Sequence, residues 1–174
     1  IRDITPAEGQ ELNLTAEGEK ASAMTFTNTY LAEGKGTVTL DKTLTGNRKD
    51  GIAADEFTFS AVKVDPDEGY APILEDGEEI AYQGKTPVAA ETDEDGNYET
   101  RVSITIPFDQ DDIGDNWFRL TEISGEDSSV VCDSNVYYVK IHVKDDGEHN
   151  LDASSVKYYT CLLYTSPSPR DTER

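Results

Sequence analysis

Tyr98-Glu99-Thr100-Arg101-Val102-Ser103-Ile104-Thr105-Ile106-Pro107-Phe108 decides the fold class. From Val102 to Phe108 every second residue is large and apolar, and the residues between are Ser, Thr and Pro. A strand turns successive side chains to opposite faces, so this period of two lines Tyr98, Val102, Ile104, Ile106 and Phe108 along one buried face. The alternation recurs on both sides of it. Upstream, Val38, Leu40, Lys42 and Leu44 share a face, as do Phe57, Phe59 and Ala61. Downstream, Phe118, Leu120 and Glu122 share one, and Tyr137, Val139, Ile141 and Val143 another. Near the start, Met24-Thr25-Phe26-Thr27-Asn28-Thr29-Tyr30 sets Met24, Phe26, Asn28 and Tyr30 in phase. Asp95-Gly96 and Asp146-Gly147 are tight-turn pairs. No stretch sustains a capped helical period, and Ala53 to Glu56 has room for a single turn. Half-buried strands joined by turns predict an all-β protein, an antiparallel β-sandwich.

The 174 residues carry 15 Lys and Arg against 36 Asp and Glu, a formal net charge of −21. With 36% hydrophobic residues and 13 glycines, the chain has enough apolar material for one sandwich-sized domain and a fragment of another. No basic patch is present to neutralise phosphates, which argues against nucleic acid and anionic membrane surfaces as partners. No apolar run approaches the ~20 residues that span a bilayer. The acid clusters, such as Asp65-Pro66-Asp67-Glu68, Glu75-Asp76-Gly77-Glu78-Glu79 and Asp109-Gln110-Asp111-Asp112, read as solvated turns. Asp93-Glu94-Asp95-Gly96-Asn97-Tyr98 has the acids of a calcium loop but lacks the spacing and closing Glu of an EF-hand. No metal and no cofactor is expected. His142 is out of phase with the core face and His149 sits near a turn. Neither has a Ser or Cys partner or zinc-ligand spacing in the sequence, which argues against a hydrolase.

The ends have their own reading. The chain opens at Ile1 and its true start is expected upstream, so the lack of a leader pattern in Ile1 to Thr15 is uninformative. Cys161-Leu162-Leu163-Tyr164-Thr165-Ser166-Pro167-Ser168-Pro169-Arg170-Asp171 resembles the conceptual translation of a sequencing adapter, and residues 161–174 are expected to be non-biological. That leaves Cys132 alone, so no disulfide is expected within the domain. Cys132 itself reads as a small buried apolar residue.

Asn28, Lys42 and Glu122 break the pattern, because each is polar yet in phase with large apolar neighbours. Burial disfavours the charged form of a lone amine or carboxyl, and the plainer alternative is that an inward Lys snorkels to the sheet edge or simply pairs with the Glu. An amine, a carboxyl and a carboxamide held together form a reactive set. The amine can attack the amide carbon while the carboxyl stabilises the oxygen and moves protons. Ammonia leaves and an isopeptide bond joins two strands, with the fold supplying proximity.

Phe26-Thr27-Asn28-Thr29-Tyr30 resembles the closing strand of Gram-positive pilin isopeptide domains, of the streptococcal pilin backbone or T-antigen type. Lys42-Thr43-Leu44-Thr45-Gly46 followed by Glu56-Phe57-Thr58-Phe59 resembles their two opening strands. Trp117-Phe118-Arg119-Leu120-Thr121-Glu122-Ile123 resembles the segment with the catalytic acid. Cys132-Asp133, Tyr137 to Val143 and Asp145-Asp146-Gly147 resemble the strands after that segment. The resemblance implies an immunoglobulin-like sandwich of the collagen-adhesin B type, incomplete at its closing strand. It also implies that Lys42 is the nucleophile, Glu122 the acid/base and Asn28 an acceptor. In the family the Lys comes first and the Asn last, whereas here Asn28 precedes Lys42. Residues 1–31 are therefore expected to be the end of a preceding repeat and residues 32–160 the next repeat, whose own acceptor Asn is missing.

The implied function is structural: a load-bearing repeat of a pilus or fibrous adhesin, outside the cell and attached to the wall, with neighbouring repeats as partners. The bond forms once, so no turnover enzyme is expected. The alternative is a carbohydrate- or host-protein-binding module with Tyr82, Tyr138 and Tyr158 as an aromatic platform. The competing reading of those tyrosines is cross-strand packing.

Overall fold

A computed structural model describes residues 26–160 apart from 124 and 126. Met24 and the adapter-like tail lie outside the described residues. Residues 31–160 belong to one compact unit and residues 26–30 to a separate one. Within the larger unit the strands are β1 (Glu33–Leu44), β2 (Thr58–Asp65), β3 (Ala71–Pro72), β4 (Leu74–Glu75), β5 (Glu78–Glu79), β6 (Ala81–Lys85), β7 (Tyr98–Phe108), β8 (Gly114–Ile123), β9 (Tyr137–Asp145) and β10 (Asn150–Tyr159). No helix among the described residues is long and apolar enough to cross a membrane. The protein is all-β and sandwich-like.

Eight strands form one curled sheet in the order β3-β2-β8-β9-β10-β1-β7, with β6 also on β2, and β4 and β5 make a small hairpin of their own. Every pairing is antiparallel except β1 with β10. The curl brings the apolar faces of β2, β8 and β9 against those of β1 and β7, in one continuous core. β7 buries Tyr98, Val102, Ile104, Ile106 and Phe108, as its alternation predicts. Phe118 from β8 is fully buried at the centre, with Phe108 and Tyr82 each edge-on at 6.3 Å.

Part of the acidic excess has a local cause. Asp65, Asp93, Asp109, Asp127, Asp133, Asp145, Asp146 and Asp152 each accept a backbone N–H two residues further on. These are Asx turns, in which a short carboxylate replaces a backbone acceptor. Asp93 also accepts the Asn97 N–H, so its carboxylate closes its own turn. Among the described residues no group of three His, Cys, Asp or Glu is placed to hold a metal ion.

Two expectations are corrected. Residues 26–30 carry no strand, and Phe26, Asn28 and Tyr30 are all exposed, Phe26 at 91%. Alternation makes a strand only where a neighbour completes the hydrogen-bond ladder, and no ladder partner pairs with this segment among the described residues. Tyr137, expected inward with Val139, is 38% exposed because β9 begins there, at the rim of a groove. Its neighbour Tyr138 is buried on the outer face of the sheet against Val64, Tyr70, Trp117 and Tyr159.

Ala53 to Glu56, where a helical turn had room, forms instead a tight turn with Asp55 in the left-handed region at φ 61°, and it is held by charge. Glu56 pairs with Arg48 and accepts the Ala53 N–H at 2.8 Å. Burial pushes its carboxyl up, but Arg48 and the Ala53 N–H together outweigh that and hold it below its ordinary value of 4.5. A depressed carboxylate adds stability that is present above its ordinary value and is lost as pH falls through the folded one. Glu56→Gln is therefore expected to reduce the loss of stability as pH falls below about 4.5. Urea midpoints measured across that range check this; parallel curves for variant and wild type would contradict it.

Candidate functional site

The site starts from phase. On β1, Lys42 follows Val38 and Leu40 on the inward face. On β8, Glu122 follows Phe118 and Leu120. β9 and β10 separate the two strands in the sheet, so the curl is what makes their inward faces meet. Lys42 Nζ donates to both carboxylate oxygens of Glu122, at 2.9 and 3.0 Å. The Lys42 side chain is 10% exposed and that of Glu122 is 3% exposed. The Phe57 ring lies under the ammonium, 4.3 Å from Nζ to the ring centroid. That contact aligns the amine as well as shielding it. The Asp133 N–H donates to Glu122 Oε2 at 3.3 Å, which anchors the loop after β8 to the pair.

The pair lies in the wall of an open groove of about 760 Å³. Thr39 to Thr43 of β1 form one side, and Leu120 to Glu122 with the loop Val131 to Asn135 form another. Tyr137 and Tyr158 complete it. The groove exists because β1 and β10 separate. They pair only at Glu33 with Asn150 and Gly34 with Leu151. Gly34 permits that approach, since a Cβ there would stand 2.3 Å from the Leu151 carbonyl oxygen. Beyond it β1 is laddered on one side only, to β7. On the open side the Thr39 N–H donates to the Tyr158 hydroxyl at 2.9 Å, a side chain standing where a strand would otherwise pair.

An amine hydrogen-bonded to a carboxylate has a proton acceptor in place, and the groove admits a third group to both. The structure brings Lys42 and Glu122 together. Asn28 lies in the separate unit formed by residues 1–30. Cys132 is half-buried in the groove wall, not the fully buried apolar residue expected, because its loop lies over the sheet edge. The sequence reading missed Asn135, a carboxamide in the groove wall. No periodicity marks it, since it sits in a loop. Tyr138, Tyr82 and Tyr158 do not form one platform. Tyr138 is buried on the outer face, Tyr82 packs edge-on against core Phe118, and Tyr158 reaches Thr39. His142 is half-exposed and paired with Asp115 at 2.7 Å. That hydrogen bond holds the Asp115 carboxyl below its ordinary value.

Comparisons with protein-family models, with curated proteins and with solved structures each give no match to the chain.

Proposed function

We propose that residues 32–160 are a load-bearing β-sandwich repeat of an extracellular, wall-attached surface fibre, tied by a self-formed Lys–Asn isopeptide bond. The observation that carries this reading is the Lys42–Glu122 pair, buried and doubly hydrogen-bonded, beside the open edge of β1. A strand laid along that edge brings an asparagine to the amine. Glu122 takes a proton from the Lys42 ammonium, and the freed lone pair attacks the asparagine Cγ. The protonated carboxyl hydrogen-bonds the amide oxygen and gives its proton to the departing nitrogen, and as a carboxylate it then takes the second proton from the former lysine nitrogen and passes it to the released ammonia. One C–N bond forms, one breaks and ammonia leaves. The reaction occurs once per site and needs no oxidant, which suits a chain whose one described cysteine is free.

Where the asparagine strand belongs to the same repeat, the bond closes a loop of most of the domain. By the entropy argument used for disulfides this adds up to several kcal/mol, and it routes tension around the hydrogen-bonded strands. The resemblance to pilin isopeptide domains agrees with this reading.

Incubating the chain with excess synthetic peptide Ala23-Met24-Thr25-Phe26-Thr27-Asn28-Thr29-Tyr30-Leu31 tests it. The expected product is a covalent adduct lighter by one ammonia than the sum of its parts, absent with Lys42→Ala. Reversible binding without mass change, or no binding, would contradict the reading.

A further inference from the structure

We infer that the strand-accepting groove beside β1 takes residues 23–31 of a second copy of this chain, and that Lys42 of one copy is thereby joined to Asn28 of the next. The inference rests on the reactive-pair reading above and names the partner of that site.

Chain reach excludes the same copy. From Glu33 to Lys42, β1 extends about 30 Å at ~3.3 Å per residue. The five-residue step from Asn28 to Glu33 covers at most about 18 Å. Folded straight back along β1, Asn28 still falls about 12 Å short of Lys42, against the ~5 Å between paired residues on adjacent strands. A second copy has no such restraint.

The segment suits the groove in three respects. Met24, Phe26, Asn28 and Tyr30 alternate with threonines, so strand pairing along β1 turns Asn28 to the same face as Phe26 and Tyr30. Residues 26–30 are exposed and carry no strand of their own. Ala23 to Leu31 contains no charged residue, so in a chain of net charge −21 this stretch approaches another copy without adding repulsion. On the acceptor side, backbone groups alternate sides along a strand, so Asp41 and Thr43 face the open edge with Thr39. A strand added there displaces the Tyr158 hydroxyl and completes the ladder.

The bond balances as before: Lys42 Nζ joins Asn28 Cγ and ammonia departs, with Glu122 carrying the proton. Donor segment and acceptor groove are different surfaces, so the contact is head-to-tail and each copy can both give and receive. Growth is therefore open-ended.

The full chain, purified and concentrated, is examined by denaturing electrophoresis and intact mass. The expected result is a boiling-resistant ladder in which each added copy costs one ammonia, with tryptic fragments joining Lys42 to Asn28. Asn28→Ala and Lys42→Ala are each expected to stay monomeric. Their mixture is expected to give a covalent dimer and nothing longer, because only the Asn28→Ala copy can accept and only the Lys42→Ala copy can donate. This holds even if Lys42→Ala folds poorly, since its donor segment needs no fold. Ammonia loss within a monomer, mapped to Asn135, would overturn the inference, because the groove would then be served by its own loop. Capture of the synthetic peptide without any ladder would overturn it while leaving the reactive pair standing. Failure of both would remove the underlying reading as well.

Discussion

Glu122→Ala is expected to cost about 3–5 kcal/mol of folding stability, because it strands the Lys42 ammonium in a site only a tenth exposed. Tm is expected to fall by on the order of 10 °C in the uncross-linked chain. The loss of the Asp133 N–H contact adds to the effect by releasing the loop over the groove. The partner experiment gives this its meaning. Lys42→Met combined with Glu122→Leu replaces both charges with apolar groups of similar size, and such exchanges of buried ion pairs are commonly neutral or stabilising. The double variant is expected to match or exceed the wild-type Tm while losing all cross-linking. Stability and reactivity would then separate, as they should if the pair is kept for chemistry. A double variant as unstable as Glu122→Ala would mean that the ion pair is a structural tie.

Phe118→Ala is expected to cost about 3–5 kcal/mol, an effect of the same size from a different cause. Phe118 is fully buried and touches both layers of the curl, with Phe108 of β7 on one side and Tyr82 of β6 on another. No small movement of a single strand refills that volume. Because Phe118 lies two register steps from Leu120 and four from Glu122 on the same strand, the variant also loosens the support beneath the pair. Chemical denaturation gives the stability, and the rate of peptide capture in the folded fraction gives the second effect. A loss below about 1 kcal/mol would show that the core is not centred where the packing puts it.

The all-β class and most of the inward faces were legible in the sequence because period-two alternation and burial have the same cause. Val102 to Phe108 is the clearest case, and Lys42 and Glu122 were found by the same rule, as polar residues in an apolar phase. β10 was not singled out, for a physical reason. Leu151 and Ala153 face inward, but a register shift between Asp152 and Ser155 breaks the alternation before Val156. Residues 26–30 mislead in the opposite way: the alternation is there, but a strand also needs a neighbour. Local sequence carries no information on which strands meet across the curl, so the 2.9 Å approach of Lys42 to Glu122 had to come from the tertiary structure. Asn135 and the half-exposure of Cys132 belong to a loop, where no period exists to be read.

The most direct measurement is tandem mass spectrometry of proteolysed product after the chain has been incubated with the Asn28-bearing peptide. The account predicts one branched fragment in which the side chain of residue 42 is acylated by the side chain of the peptide's asparagine, absent from Glu122→Gln. Recovery of an unmodified Lys42 fragment in full yield, from protein shown to hold the peptide in its groove, would contradict it.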